Sequence, residues 1–131
     1  MLTVSLEKKI LQCSIALACL VPLSAGLAGI LEGAELLGGG GVEMDSHFRY
    51  LSGLLLAIGI GFLSAIPHIE RHTARIRLLT LIVVIGGCGR LAGIFLLGIP
   101  NLPMLLALSM ELVVTPALCL WQYRLAQRFN A

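Results

Sequence analysis

Residues 78–99 read LLTLIVVIGGCGRLAGIFLLGI, an apolar run long enough to cross a bilayer and interrupted near its middle by Arg90. At 1.5 Å per residue a crossing takes about 20 residues. A guanidinium at that depth costs about 2.5 kcal/mol or more in hydrocarbon, so Arg90 needs a partner inside the membrane. One other acidic or basic residue lies well inside a hydrophobic run, and it is Glu111. The pairing of these two residues organises the reading of the whole chain.

Composition agrees with a membrane setting. Of 131 residues, 58% are hydrophobic and 12% charged, with a mean hydropathy of +0.98, whereas soluble domains carry about 25% charged residues. Four spans use up nearly the whole length, so the expectation is an all-α, integral membrane four-helix transmembrane bundle forming a single membrane domain over residues 1–131. The first apolar run follows a basic head with Lys8 and Lys9 but is too long for the core of a signal peptide, so it reads as a retained helix. Cys13, Cys19, Cys88 and Cys119 all sit inside apolar runs without a C-x-x-C pair and read as small core residues.

The expected spans are residues 10–31, 49–66, 78–99 and 104–121. Pro22 falls mid-helix in the first, where it removes a backbone hydrogen bond. Ala25, Gly29 and Gly33 recur at intervals of four, a small face that admits another backbone. The Gly38 to Gly41 run is a flexible link, after which Asp45 or Ser46 can cap the second helix. That helix carries Gly53, Ala57, Gly61 and Ala65 on one stripe, read as its packing face. Pro67 closes it, and Pro116 should kink the fourth helix. Trp121 and Tyr123 mark an interface.

Lys8, Lys9, Arg71, Arg75, Arg77, Arg124 and Arg128, seven of the nine basic residues, fall on one side of this arrangement, and Glu32, Glu35, Glu43 and Asp45 on the other. By the positive-inside rule both termini are cytoplasmic. Arg90 and Glu111 then sit at similar depth, about 10–14 Å below the outer surface, on consecutive helices. With Arg49 entering from the outer end of the second helix and Asp45, Glu32 and Glu35 at the rim, they outline a polar site open to the outer leaflet. Planar arginine forks suit phosphate or carboxylate, so the ligand expected there is lipidic or a small anion. Each member also has a plainer role: a register-fixing ion pair for Arg90 and Glu111, a headgroup anchor for Arg49, a helix cap for Asp45, a solvated rim for Glu32 and Glu35. His68 and His72 lie beside Pro67 in a basic connection, no histidine lies at depth for haem, and no glycine loop leads into a Lys-Ser/Thr helix. No metal, cofactor or nucleic acid is expected, and membrane lipids and further copies of the chain are the expected partners.

The segments Asp45-Ser-His-Phe-Arg49-Tyr-Leu-Ser-Gly53, Ile-Pro-His-Ile-Glu70-Arg, Gly86-Gly-Cys-Gly-Arg90-Leu and Met-Glu111-Leu-Val-Val-Thr-Pro116 resemble a bacterial family described as a domain of unknown function, over nearly the entire chain. The resemblance implies small four-helix, multi-pass proteins of the inner membrane, distantly similar to DoxX-like proteins, and implies no activity. Small multidrug transporters place their glutamate in the first helix, and vitamin K epoxide reductase relatives need a C-x-x-C, so neither comparison holds. Three functions stay open: a module binding or transporting a lipidic or anionic ligand, a membrane enzyme acting on an isoprenoid or lipid with Glu111 as acid or base, and an accessory subunit with a purely structural pair.

Overall fold

A computed structural model describes residues 3–131, and among the described residues every regular element is helical. In chain order the elements are α1 (Val4–Glu32), a 3-10 turn (Gly33–Leu37), α2 (Val42–Ala65), a 3-10 turn (Ile69–Arg71), α3 (Thr73–Leu97), α4 (Leu102–Ser109), a π turn (Met110–Val114) and α5 (Thr115–Asn130). Four helical segments, Val4–Leu37, Val42–Ala65, Thr73–Leu97 and Leu102–Asn130, are long and apolar enough to cross a membrane. The chain forms two compact units, one joining its start, up to Leu11, with His68–Ala131 and the other comprising Gln12–Pro67.

All four helical segments begin before the expected spans. α1 starts six residues before the expected span, where the Thr3 hydroxyl accepts the Leu6 N–H at 3.3 Å. α2 begins at Val42 with Gly41 as its N-cap, so neither Asp45 nor Ser46 caps it. Asp45 lies in the first turn with Glu43, where acidic side chains favour the positive helix end, and its carboxylate is spent elsewhere. α4 opens on Asn101, whose side-chain oxygen accepts the Met104 N–H at 3.2 Å. Past Trp121, α5 continues to Asn130 as an amphipathic helix, burying Gln122, Leu125 and Ala126.

Within Gln12–Pro67, α1 and α2 pack through glycines. A β-carbon at Gly26 would lie 2.7 Å from the Leu56 amide nitrogen and 2.8 Å from the Ser52 carbonyl oxygen, and one at Gly29 would lie 2.6 Å from the Ser52 β-carbon. Gly59 sits against Leu23 and Pro22. The contact line on α2 is therefore Ser52, Leu56 and Gly59. The stripe expected from Gly53 and Ala57 is turned away from it: Ala57 is exposed and a β-carbon at Gly53 would find only Ile30, at 4.0 Å. On α1 the buried line is Gly26 and Gly29, continued by Gly33 at the start of the 3-10 turn, with Ala25 exposed. At the far end of the same unit Gln12 donates to the Ile66 carbonyl at 2.7 Å. Backbone atoms cannot give way as a side-chain tip can, so Gly26→Ala should destabilise by about 1–3 kcal/mol through overpacking. Gly53→Ala should leave the detergent melting temperature unchanged, and equal effects at both positions would contradict the assigned contact line.

In the other unit α3 runs along α5 and the π turn. Its core is Leu11, Ile69, Ile76 and Leu125, each at most 1% exposed. Gln122, fully buried, donates to the Ile69 carbonyl at 2.7 Å and to the Thr73 hydroxyl at 2.9 Å, which fastens the start of α3 to α5.

Candidate functional site

Arg90 and Glu111 meet because α3 carries glycine where it crosses the π turn. Gly87, one turn before Arg90, is buried, and a β-carbon there would lie 2.7 Å from Leu112 Cδ2 and 3.0 Å from the Glu111 β-carbon. The close approach brings the two side chains together as a two-pronged pair: Arg90 Nε donates to Glu111 Oε2 and Nη2 to Oε1, each at 3.0 Å. Such fork-to-carboxylate pairs fix geometry as well as charge. The remaining terminal nitrogen, Nη1, is directed at Met104 Sδ at 3.1 Å. A thioether is a weak acceptor, so this corner of the guanidinium holds its poorest partner. The Arg90 side chain is 33% exposed and that of Glu111 21%.

Glu111 stands on the π turn, where the Thr115 N–H bonds to the Met110 carbonyl and the Thr115 hydroxyl donates to the same oxygen at 2.7 Å. Pro116 has no N–H to give back to the turn before it and its ring crowds the carbonyl four residues earlier. One extra residue in the turn accommodates this, so the distortion expected as a kink at Pro116 takes the form of a π turn just ahead of it. π turns of this kind often mark functional sites.

The second ion pair belongs to the other unit and has a different character. Arg49 Nε donates to Asp45 Oδ2 at 2.7 Å, and Arg49 Nη1 donates to the Ile30 carbonyl and, at 3.2 Å, to that of Leu31. The other Asp45 oxygen accepts the Ala34 N–H at 2.9 Å. The pair thus satisfies the last carbonyls of α1 and an amide of the turn that follows, backbone groups that a helix end leaves without partners. Gly33 permits this, with φ +67° and with Arg49 Nη2 at 2.5 Å from where a β-carbon would stand. Glu32 and Glu35 are exposed. Glu35 and Asp45 line a recess of about 250 Å³ with Ala34, Val42 and the glycines from Gly39 to Gly41, a surface whose charged groups favour cations over anions.

A third cluster gave little signal in the sequence, since its members are far apart in the chain. Glu7 accepts from Trp121 Nε1 at 3.0 Å and from Arg128 Nη1 at 2.5 Å. Lys8 pairs with Glu70 at 2.8 Å and lies over the Phe129 ring, while Arg77 stacks on Tyr123 at 4.6 Å. Burial pushes the Glu70 carboxyl up, but the Lys8 ammonium, a backbone hydrogen bond and nearby His68 outweigh it and hold the group below the usual carboxylate range. The only hint in the sequence was that Glu7 and Glu70 are isolated acids among basic residues.

A family model described as a domain of unknown function (DUF4345) matches residues 10–122, in keeping with the resemblance noted from the motifs. No curated protein and no solved structure matches the chain.

Proposed function

We propose that this chain, which belongs to the domain of unknown function family DUF4345, is a multi-pass membrane protein that holds a lipidic or small anionic ligand at the Arg90–Glu111 pair. The observation that carries this reading is the contact of Arg90 Nη1 with the Met104 thioether at 3.1 Å. A phosphate or carboxylate oxygen is a far better acceptor for that nitrogen than sulfur, so an anion arriving beside Met104 gains a charge-assisted bond without displacing Glu111. Ionisable residues within spans are rare and commonly mark a ligand or ion pathway, and the π turn beneath Glu111 supports the same assignment.

A structural role for the pair is the second reading, and one observation favours it: both Glu111 oxygens are taken by Arg90. Arg49 and Asp45 enter the proposal as the fastening of α1 to α2, because Arg49 already serves Asp45 and two carbonyls. The orientation follows the basic residues: both termini cytoplasmic, the Gly38 to Gly41 link outside, in a bacterial inner membrane. Assembly into a homo-oligomer is supported by the α3 face around Arg90, where β-carbons at Gly86, Gly89 and Gly93 would meet nothing within 4 Å, leaving small residues where close helix contact is cheap.

Native mass spectrometry of the detergent-extracted protein, with release and identification of retained small molecules, tests the proposal. Wild-type protein and the exposed-cation control Arg71→Gln should retain an anionic species that Arg90→Gln loses. Retention by all three, or by none, would place the pair among purely structural features.

A further inference from the structure

The seam between α3 and α5 contains polar groups that the ligand site does not use. Thr80 is 8% exposed and Gln122 fully buried, and Thr80 Oγ1 and Gln122 Oε1 are both buried with no hydrogen-bond partner in the protein. One is a hydroxyl whose proton has no acceptor, and the other is a carbonyl oxygen with no donor. Buried polar groups of this kind are rare, and ordered water is their usual partner. Their places along the seam are fixed at both ends. Thr73, which bonds to Gln122 at 2.9 Å, and Gly87, which packs on Glu111, flank Thr80 at seven-residue intervals. Seven residues are close to two helical turns, so all three share one face of α3 and stand about 10 Å apart along it. On α5, Thr115 stands seven residues from Gln122 and about one turn from Glu111. The seam therefore carries hydroxyls at its middle, an amide at one end and a carboxylate at the other.

We propose that this seam is a hydrated track that gives protons a route from the Gln122 end to the Glu111 carboxylate. Water bonded to Gln122 Oε1 and to Thr80 satisfies both orphan atoms, and Thr115, whose hydroxyl proton is given to the Met110 carbonyl, still accepts from a neighbouring water. In the final step a hydronium gives its proton to one Glu111 oxygen and is left as water. The bond between Arg90 and that oxygen is lost, and the guanidinium keeps its own protons and its charge. The charged group facing Glu111 is Arg90 from α3, and the atom contributed by α4, the Met104 sulfur, touches Arg90 and does not titrate. The route ends on the Glu111 of the proposed ligand site, but the measurements that test it read water and protons and not a retained ligand.

Radiolytic hydroxyl labelling of the full-length protein, read by mass spectrometry, detects buried side chains that lie beside bound water. Ile76, one turn before Thr80 and 1% exposed, should be oxidised several-fold more than Leu11, which is equally buried. The excess should vanish in Thr80→Val and persist in Thr80→Ser. Equal labelling of Ile76 and Leu11 in the wild type, or an excess that survives Thr80→Val, would overturn the hydrated seam. Infrared spectroscopy after a rapid acid jump then follows the protonated carboxyl band that is missing in Glu111→Gln. Its appearance should be several-fold slower in Thr80→Val, and an unchanged rate would overturn the proton route.

Discussion

Replacing Arg90 with leucine should destabilise the protein by about 3–5 kcal/mol, and Glu111→Leu by a similar amount, because each leaves an uncompensated charge where its partner used to be. The pair is two-pronged, with both oxygens and two of the three guanidinium nitrogens engaged at 3.0 Å, and among the described residues neither side chain makes a second ion pair. The double replacement should recover much of the loss, since two leucines beside Gly87 and Met104 bury without any desolvation cost. Chemical denaturation in detergent measures this as a double-mutant cycle. A coupling energy well above the few tenths of a kcal/mol expected for independent sites is the predicted result. Simple additivity would mean that the two residues do not stabilise one another.

The second large effect is expected at Gly33→Ala. The backbone there has φ +67°, a conformation that costs a residue with a β-carbon about 1–2 kcal/mol. The new methyl group would also overlap an Asp45 carboxylate oxygen and crowd Arg49 Nη2. Those are side-chain atoms and can move, but moving them breaks the fastening they form. The part-buried Ala34 N–H and Ile30 carbonyl then lose their partners, at about 1–3 kcal/mol for a group left buried and unsatisfied, and the exposed Leu31 carbonyl loses one as well. The melting temperature should fall further than in Asp45→Ala, which removes the fastening without the strain. A Gly33→Ala protein as stable as wild type would show that the clamp contributes nothing.

Particular residues show what was legible in the sequence. The four helices followed from hydropathy, and the meeting of Arg90 with Glu111 followed from equal depth on consecutive spans and the cost of burying either alone. Of the stripe expected on α2, Ala65 is fully buried and Ala57 is exposed, since the regular pattern of Gly53, Ala57, Gly61 and Ala65 does not say which residues meet α1. The actual contact line of Ser52, Leu56 and Gly59 is chosen by where Gly26 and Gly29 of α1 stand, which no single helix reveals. Asp45 was legible as a capping residue, but the amide it satisfies belongs to Ala34, eleven positions back, and the N-cap of α2 is Gly41 instead. Pro116 announced a distortion without saying which kind, since a kink and a π turn both relieve the same lost hydrogen bond. The bond from Trp121 to Glu7 joins residues 114 positions apart, and no periodicity in the sequence connects them.

The most direct test of the central claim is the charge-reversed protein, Arg90→Glu combined with Glu111→Arg, analysed by native mass spectrometry beside its melting temperature. The swap restores an ion pair between the same two helices, so the protein should fold with stability well above either leucine variant. It also moves the guanidinium from α3 to the π turn and away from Met104, so the anionic species retained by the wild type should be lost. A folded, charge-reversed protein that still carries that species would contradict the assignment of Arg90 as the anion-binding group.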